Sequence, residues 1–279
     1  CTLMSQLNLP DPEKISEFLR EAAERDILPL FKQLKDHEIN DKESGEIVTA
    51  ADIRAENRLI NSLTKVLPKS TTVGEEEVSG DKSVINRLTG EAPVWVIDPL
   101  DGTRNFSKGK DRFAVIVALC LQGETLMGWI YNPIEEVVVI AEKGQGTWEN
   151  GQRVSLSKPP KIEQMRGSVS KRRYDRLKEL ANQENGILPA DMVRYRCVGM
   201  EYVDLARGIL HFAEYGILKP WDHAAGLLIH AEAGGYSAFT KDDSPYKAGP
   251  TVRDHIIAAP DQSSWRSLKA LLDVLQYAA

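Results

Sequence analysis

Two aspartates, Asp98 and Asp101, stand three residues apart in the stretch "VWVIDPLDGTRNF", Val94 to Phe106, where an apolar, β-branched run ends abruptly. Carboxylates held that close repel one another and stay ionised together only if a cation compensates them. Three further acids occupy comparable places: Asp52 in "TAAD", Glu75 at the head of "EEE" in "VGEEE", and Asp222 in "PWDHAAGLLIHAEAGG". Each has a modest reading by itself. Thr49 to Asp52 matches a helix capping box, and Glu75–Glu77 could be a solvated turn. Asp98 and Asp101 could cap a helix beginning near Thr103, and Asp222 suits the N-cap of a helix closed by Gly234-Gly235.

Together the acids describe a site. Glu75 and Asp98 each follow a strand-like segment, so both can face one crevice, and the Pro99 turn would point Asp98 and Asp101 the same way. Oxygen ligands without a nearby Cys or His set select hard ions such as Mg²⁺. Two or three such ions about 4 Å apart suit hydrolysis of a phosphate ester. The Leu100 carbonyl is a further candidate ligand. Gly102 and Thr103 would open a helix whose exposed amides favour phosphate, and the Thr103 hydroxyl could orient an attacking water. No Gly-x-Ser-x-Gly elbow, Cys-x-x-Cys pair or Walker loop is present, which excludes serine-hydrolase, thiol-redox and P-loop readings. His223 is expected on a helix surface.

The elements that must position these groups alternate in type. Asp11 and Pro12 open a helix over residues 11–36 that Pro29 should interrupt. "TAADIRAENRLINSLTKVLP" predicts a second helix with Ile53, Ile60, Leu63 and Leu67 on one face. "TTVGEEE" and "VWVID" predict strands ending in acids. After residue 112 come "FAVIVALCL", "TLMGWIYN", "EVVVIAEKG" and a hairpin through Asn150-Gly151. The organisation expected is two halves sharing a cleft: residues 1–155 with most of the candidate ligands, and 156–279 with Asp222 and a loop that meets the substrate.

The chain has 279 residues, 42% hydrophobic and 27% charged, as in an ordinary globular protein. A net charge of −6 argues against a general nucleic-acid partner. No stretch approaches the ~20 apolar residues of a membrane span, and no signal peptide is evident. Cys1, Cys120 and Cys197 lack metal-type spacing, and Cys120 reads as a small buried hydrophobe. A reduced, cytoplasmic protein is the expectation.

"VTAAD", "VGEEE", "WVIDPLDGTRNF" and "WDHAAGLLIHAEAGG" resemble the signatures of the inositol monophosphatase family, in the family's order over most of the chain. The resemblance implies an α/β (α+β) fold, an alternating αβαβα layered sandwich of the sugar-phosphatase type. It also implies a Mg²⁺-dependent phosphatase, with Mn²⁺ as a possible substitute and Ca²⁺ and Li⁺ as inhibitors. Carried over by motif, Glu75, Asp98 and the Leu100 carbonyl resemble the ligands of a first ion, and Asp98, Asp101 and Asp222 those of a second. Glu75, with Asp52 acting through water, resembles the site of a third. Thr103 with Glu75 would activate the attacking water, and the Gly102 and Thr103 amides would hold the phosphate, with no phosphoenzyme.

The match weakens where the substrate is met. Family members often carry Gly-Ser or Gly-Thr followed by Ala-Ala in the second half, whereas "CVGMEYVDLARG" has Met200, Glu201 and Tyr202, which would alter that pocket. Glu214 matches the acid before the Trp-Asp motif with one extra residue of spacing, and Lys42 the mobile-loop lysine with one fewer. Lys171, Arg172, Arg194, Arg196 and Lys219 are either surface charge or contacts for a second phosphate. The reading is therefore a phosphomonoesterase for a small polyol or sugar phosphate. Fructose-1,6-bisphosphatase, histidinol-phosphate phosphatase and 3′-phosphoadenosine 5′-phosphate phosphatase activities are alternatives, as is a regulatory or interaction protein retaining the fold. Its partners would be a small phosphate ester and a second copy in a homodimer, with no membrane.

Overall fold

The computed structural model of the chain describes residues 8–34, 39–41, 47–184 and 187–273. Asp11 caps α1 (Pro12–Ala22), its carboxylate accepting from the Glu13 amide at 3.0 Å. The helix then widens to a π turn over Ala23–Ile27 and ends in a 3₁₀ turn, Leu28–Leu30, around Pro29, which cannot continue the ladder. β1 (Ile39–Asp41) and β2 (Ile47–Thr49) pair antiparallel and lead into α2 (Ala50–Val66).

The buried face of α2 is Ala51, Asp52, Ala55, Glu56, Leu59 and Leu63. Ile53, expected on that face, is 47% exposed. The stripe through Ala51, Ala55, Leu59 and Leu63 sets the register, and its alanines bring the helix close to the sheet, carrying two acids inside.

A sheet of seven strands follows: β3 (Thr71–Gly74), β4 (Val94–Asp101), β5 (Ala114–Leu121), β6 (Glu124–Asn132), β7 (Val137–Glu142), β8 (Gly146–Glu149) and β9 (Gln152–Val154), arranged in chain order. Only the first pair is parallel. The short helix α3 (Glu75–Gly80) leaves β3, and α4 (Thr103–Ser107) leaves β4. The "EEE" triplet is thus the first turn of a helix rather than the end of a strand. Asn150 and Gly151, both at positive φ, close the β8–β9 hairpin as their types require.

The second sheet has the order β11-β10-β12-β14-β13: β10 (Arg166–Ser168), β11 (Asp191–Val193), β12 (Phe212–Tyr215), β13 (Tyr236–Phe239) and β14 (Ile256–Ala259). The helices α5 (Lys171–Glu184), α6 (Val198–Arg207), α7 (Pro220–Glu232) and α8 (Gln262–Asp273) complete the chain.

Period-two alternation sorts the core into layers. Trp95, Ile97, Val117 and Trp129 pack on Ile15, Leu19, Leu59 and Leu63 of α1 and α2. The opposite face of that sheet, Val94, Val96, Ile116 and Ile130, packs with α6, α7 and the inner face of β12 and β14. Phe212, Ile257 and Ala259 face the other way, against Trp265 and Leu268 of α8 and Leu177 of α5. Helices, sheet, helices, sheet, helices: the architecture is the αβαβα sandwich. No helix among the described residues is long and apolar enough to cross a membrane.

Candidate active site

Asp98 and Asp101 share a face because β4 carries a bulge. Asp98 pairs with Ile116 and Asp101 with Ala114, so β4 spends three residues where β5 spends two. Without the extra residue, positions three apart would point to opposite faces. With it, both carboxylates take the side of Ala114 and Ile116, toward the middle helices. The strand therefore runs on through Pro99 to Asp101, where a turn was expected. Gly102 follows at φ +87°, and a Cβ there would meet the Arg112 carbonyl at 3.0 Å and Cys197 at 3.2 Å, so only glycine fits.

Burial and mutual repulsion govern these groups. Burial, then the charges of Glu75, Asp101 and Asp222, pushes the Asp98 carboxyl well above the ordinary range, although Oδ1 accepts from the Leu100 amide at 3.0 Å. Burial also raises Asp101, against the pull of hydrogen bonds from the Gly199 amide (2.6 Å) and the Cys197 thiol (3.1 Å) to Oδ2. The Cys197 thiol is itself driven upward by burial and by the Asp101 charge, so it stays protonated and donates.

Asp52 sits at the third position of α2 in the expected capping box. Its Oδ2 accepts from the Thr49 amide (2.8 Å) and hydroxyl (2.6 Å), and its Oδ1 lies 3.2 Å from Thr103 Oγ1. Burial lifts it to about 7. Thr103 Oγ1 also reaches the Leu100 carbonyl at 2.9 Å. One short network thus joins β2, α2, the bulge and α4. Asp222 is the third residue of α7 rather than its cap, because Pro220 takes the first position and Lys219 precedes it.

A cleft of about 750 Å³ gathers Glu75 from α3, Asp98, Leu100 and Asp101 from β4, Gly102 and Thr103 from the start of α4, and Asp222 from α7. Glu201 and Glu214 join it from the other wall. Asp52 lies beneath, 1% exposed, and Met200 turns into the core. Lys42 falls outside the described residues. Tyr202 does not fill the pocket either: its ring packs over Gly226 of α7, and its hydroxyl donates to His223 Nδ1 at 2.9 Å. His223 is 1% exposed rather than on a helix surface, and it is kept neutral by burial at about 3, with Nε2–H given to the Ile217 carbonyl.

The remaining wall is rich in cations. Arg104, Arg173, Arg194, Arg196 and Lys219 line the cleft. Lys171 instead pairs with Asp175 on exposed helix surface. The Glu214 side chain is 2% exposed, with Arg173 Nε at 2.6 Å and His255 Nδ1 at 3.1 Å. The Arg173 N–H does not point along an oxygen, so that contact is an ion pair rather than a well-formed hydrogen bond, and His255 Nδ1 makes no hydrogen bond there either.

Three residues here were not singled out from the sequence: Glu56, Arg173 and Asn105. Asn105 is buried and donates through Nδ2 to the carbonyls of Arg112 (2.8 Å) and Tyr195 (3.0 Å), tying α4 to the segment that precedes α6. For Glu56 a signal existed: an acid one helical turn after Asp52 on an Ala/Leu face.

A model of the inositol monophosphatase family matches residues 11–274. The chain belongs to the inositol monophosphatase family. Among relatives, a Nus factor SuhB from Pseudomonas aeruginosa is 32% identical over 250 residues, covering 85% of this chain and 86% of its own. An inositol monophosphatase from Dictyostelium discoideum is 34% identical over 71% of this chain and 74% of its own. A fructose-1,6-bisphosphatase/inositol-1-monophosphatase from Thermotoga maritima is 29% identical over 70% and 73%. In three dimensions, a Thermotoga maritima IMPase superposes with a TM-score of 0.77 at 22% identity, covering 92% of this chain and 94% of that one.

The donor set fits a hard divalent cation: oxygen-only, mutually repelling, with Asp98 and Asp101 buried and Glu75 and Asp222 half-buried. Among the described residues no three His, Cys, Asp or Glu side chains already converge closely enough to hold one. The site is a ring of carboxylates around a cleft, which an ion would have to draw together.

Proposed function

We propose that this family member is a Mg²⁺-dependent phosphomonoesterase for a small phosphate ester. The observation that carries the reading is that Glu75, Asp98, Asp101 and Asp222 line one cleft, where burial and then the charges of the other three hold the Asp98 carboxyl well above its ordinary range. A protein gains nothing in stability by that repulsion. Glu75, Asp98 and the Leu100 carbonyl would hold a first ion, and Asp98, Asp101 and Asp222 a second. Glu75, with Asp52 through water, would serve a third. Bound Mg²⁺ supplies charge that neutralises the phosphate and lowers the pKa of water. Thr103, steadied by Asp52, orients the water in line with phosphorus, Glu75 assists its deprotonation, and the Gly102 and Thr103 amides meet the phosphate. Mn²⁺ as a substitute, inhibition by Ca²⁺ and Li⁺, a cytoplasmic location and a homodimer belong to the same proposal.

The far wall bears on the substrate. Glu214, which the resemblance makes a substrate-binding candidate, has Arg173 and His255 against it. With Arg194, Arg196 and Lys219 beside it, the wall favours an ester carrying a second acidic group over a neutral polyol, and disfavours a cationic one such as histidinol phosphate. The relatives named Nus factor support a second reading, in which the chain works by binding partners.

Phosphate release decides between them. Inositol 1-phosphate, fructose 1,6-bisphosphate, histidinol phosphate and 3′-phosphoadenosine 5′-phosphate are compared with Mg²⁺, with and without Li⁺, using Asp101→Asn as control. Metal-dependent turnover, fastest on a doubly acidic ester and lost in the variant, is expected. Mg²⁺ binding without turnover of any ester would favour the partner-binding reading, and absence of Mg²⁺ binding would overturn the metal site.

A further inference from the structure

Glu56 lies on the buried face of α2, one turn beyond Asp52 and 4% exposed, and it does not line the cleft. Its two carboxylate oxygens accept from consecutive amides of α3: Oε2 from Glu76 at 2.9 Å and Oε1 from Glu77 at 2.7 Å. These are first-turn N–H groups with no partner inside the helix, and a side chain from another helix satisfies both.

Gly74, immediately before α3, has an extended backbone (φ −97°, ψ 154°) that any residue could adopt. Glycine is required there by space: a Cβ would come within 2.4 Å of the Glu56 carboxyl. The glycine of "VGEEE" therefore makes room for Glu56.

The triplet divides its labour accordingly. Glu77 is pinned outside the cleft, accepting from the Thr72 hydroxyl at 3.0 Å and from Arg87 Nη1 at 2.5 Å, and the same nitrogen donates to the Thr72 carbonyl at 2.8 Å. Glu76 gives its amide to Glu56. Glu75 alone of the three lines the cleft. A helix of six residues cannot hold its own direction by its internal hydrogen bonds, so the heading of Glu75 depends on what grips the turn behind it.

We propose that Glu56 is a positioning residue, a buried carboxylate that clamps the first turn of α3 so that Glu75 is presented to the divalent cation. The assignment rests on the metal-phosphatase reading above. The clamp needs two acceptors. Glutamine keeps one and replaces the other with an NH₂ group facing an N–H, so Glu56→Gln is a sharp probe despite its shape.

Mg²⁺ binding to the full chain is measured by calorimetry without substrate, for wild type, E56Q, G74A, E75Q and E56Q/E75Q, with dichroism as a check on folding. E56Q is expected to bind the ion served by Glu75 about tenfold more weakly, in the range for groups that orient metal ligands. Its kcat should recover at saturating Mg²⁺ while the Mg²⁺ requirement rises. G74A should reproduce the loss from the other side of the contact, and it decides the matter should E56Q fail to fold. The double variant should bind no worse than E75Q, because both changes act through one side chain. A folded E56Q or G74A with wild-type Mg²⁺ affinity, or additive losses in the double variant, would overturn the assignment. Wild type that binds no Mg²⁺ would overturn the metal reading itself, which is a different result from wild type that binds and variants that bind equally well.

Discussion

Glu201 stands where the family resemblance leads one to expect a small residue, and it is a charged group almost wholly inside the protein. Burial drives its carboxyl up to about 7, against the pull of hydrogen bonds from the Ser168 hydroxyl (2.9 Å) and the Tyr195 amide (3.3 Å). An acid whose folded value lies above its unfolded value takes up a proton on folding. Its cost is therefore full above pH 7 and disappears toward the ordinary value of 4.5. Glu201→Gln, which keeps an acceptor oxygen, should stabilise the metal-free protein by on the order of 2–3 kcal/mol at pH 8. The gain should shrink to little near pH 5, as read from urea unfolding in chelator at both values. Wild type and variant behaving alike at pH 8 would mean that Glu201 is not held ionised in a dry site. At this scale the sequence was informative about the acids that line the cleft. Asp98, Asp101, Glu75 and Asp222 announce themselves because carboxylates at strand and helix ends have few other uses at that density. Glu56 and Asn105 act through other residues' backbones, and no residue type marks that role.

Among elements, the contact of α6 with α7 places Asp222. The ring of Tyr202 lies over Gly226, where a Cβ would fall 2.0 Å from it, and the hydroxyl is tethered to His223. Gly226→Ala should separate the helices, costing about 1–3 kcal/mol as overpacking does and weakening Mg²⁺ binding through Asp222. Gly226→Ala with Tyr202→Ala should recover part of the Mg²⁺ affinity, since the new methyl then has room. Denaturant unfolding and calorimetry report the two effects separately, and unchanged Mg²⁺ affinity in the single variant would show that α7 does not steer Asp222. Apolar periodicity located the elements, but it could not give the bulge in β4, because Asp-Pro-Leu-Asp-Gly has the composition of a turn whether or not pairing with β5 continues. It also misplaced Ile53. Alanine and buried acids, which periodicity ignores, outweighed one isoleucine in setting the rotation of α2.

For the whole molecule, the layered order puts the cleft where the first sheet and the middle helices meet the second sheet. Among the bonds beside it are those from Asn105. Asn105→Asp keeps the shape but turns donors into acceptors facing the Arg112 and Tyr195 carbonyls. It should cost about 1–3 kcal/mol and raise KM for a doubly acidic ester, because Arg196 follows Tyr195 directly. Thermal unfolding and steady-state kinetics check this, and an unaltered KM would separate the loop from substrate binding. The layer order follows from the strand and helix pattern, whereas the wall opposite the carboxylates became visible only when α5 and β14 brought Arg173 and His255 to Glu214. That pairing limits the routes by which descendants of this gene could change. Losing Arg173 first leaves a buried carboxylate with only His255 against it, a step of up to about 3–5 kcal/mol that takes a large share of a domain's stability. Losing the charge at Glu214 first, through glutamine, leaves an arginine whose stem stays packed while its head leans toward water. The passable path therefore has a fixed order, beginning with an amide that prefers neither kind of substrate.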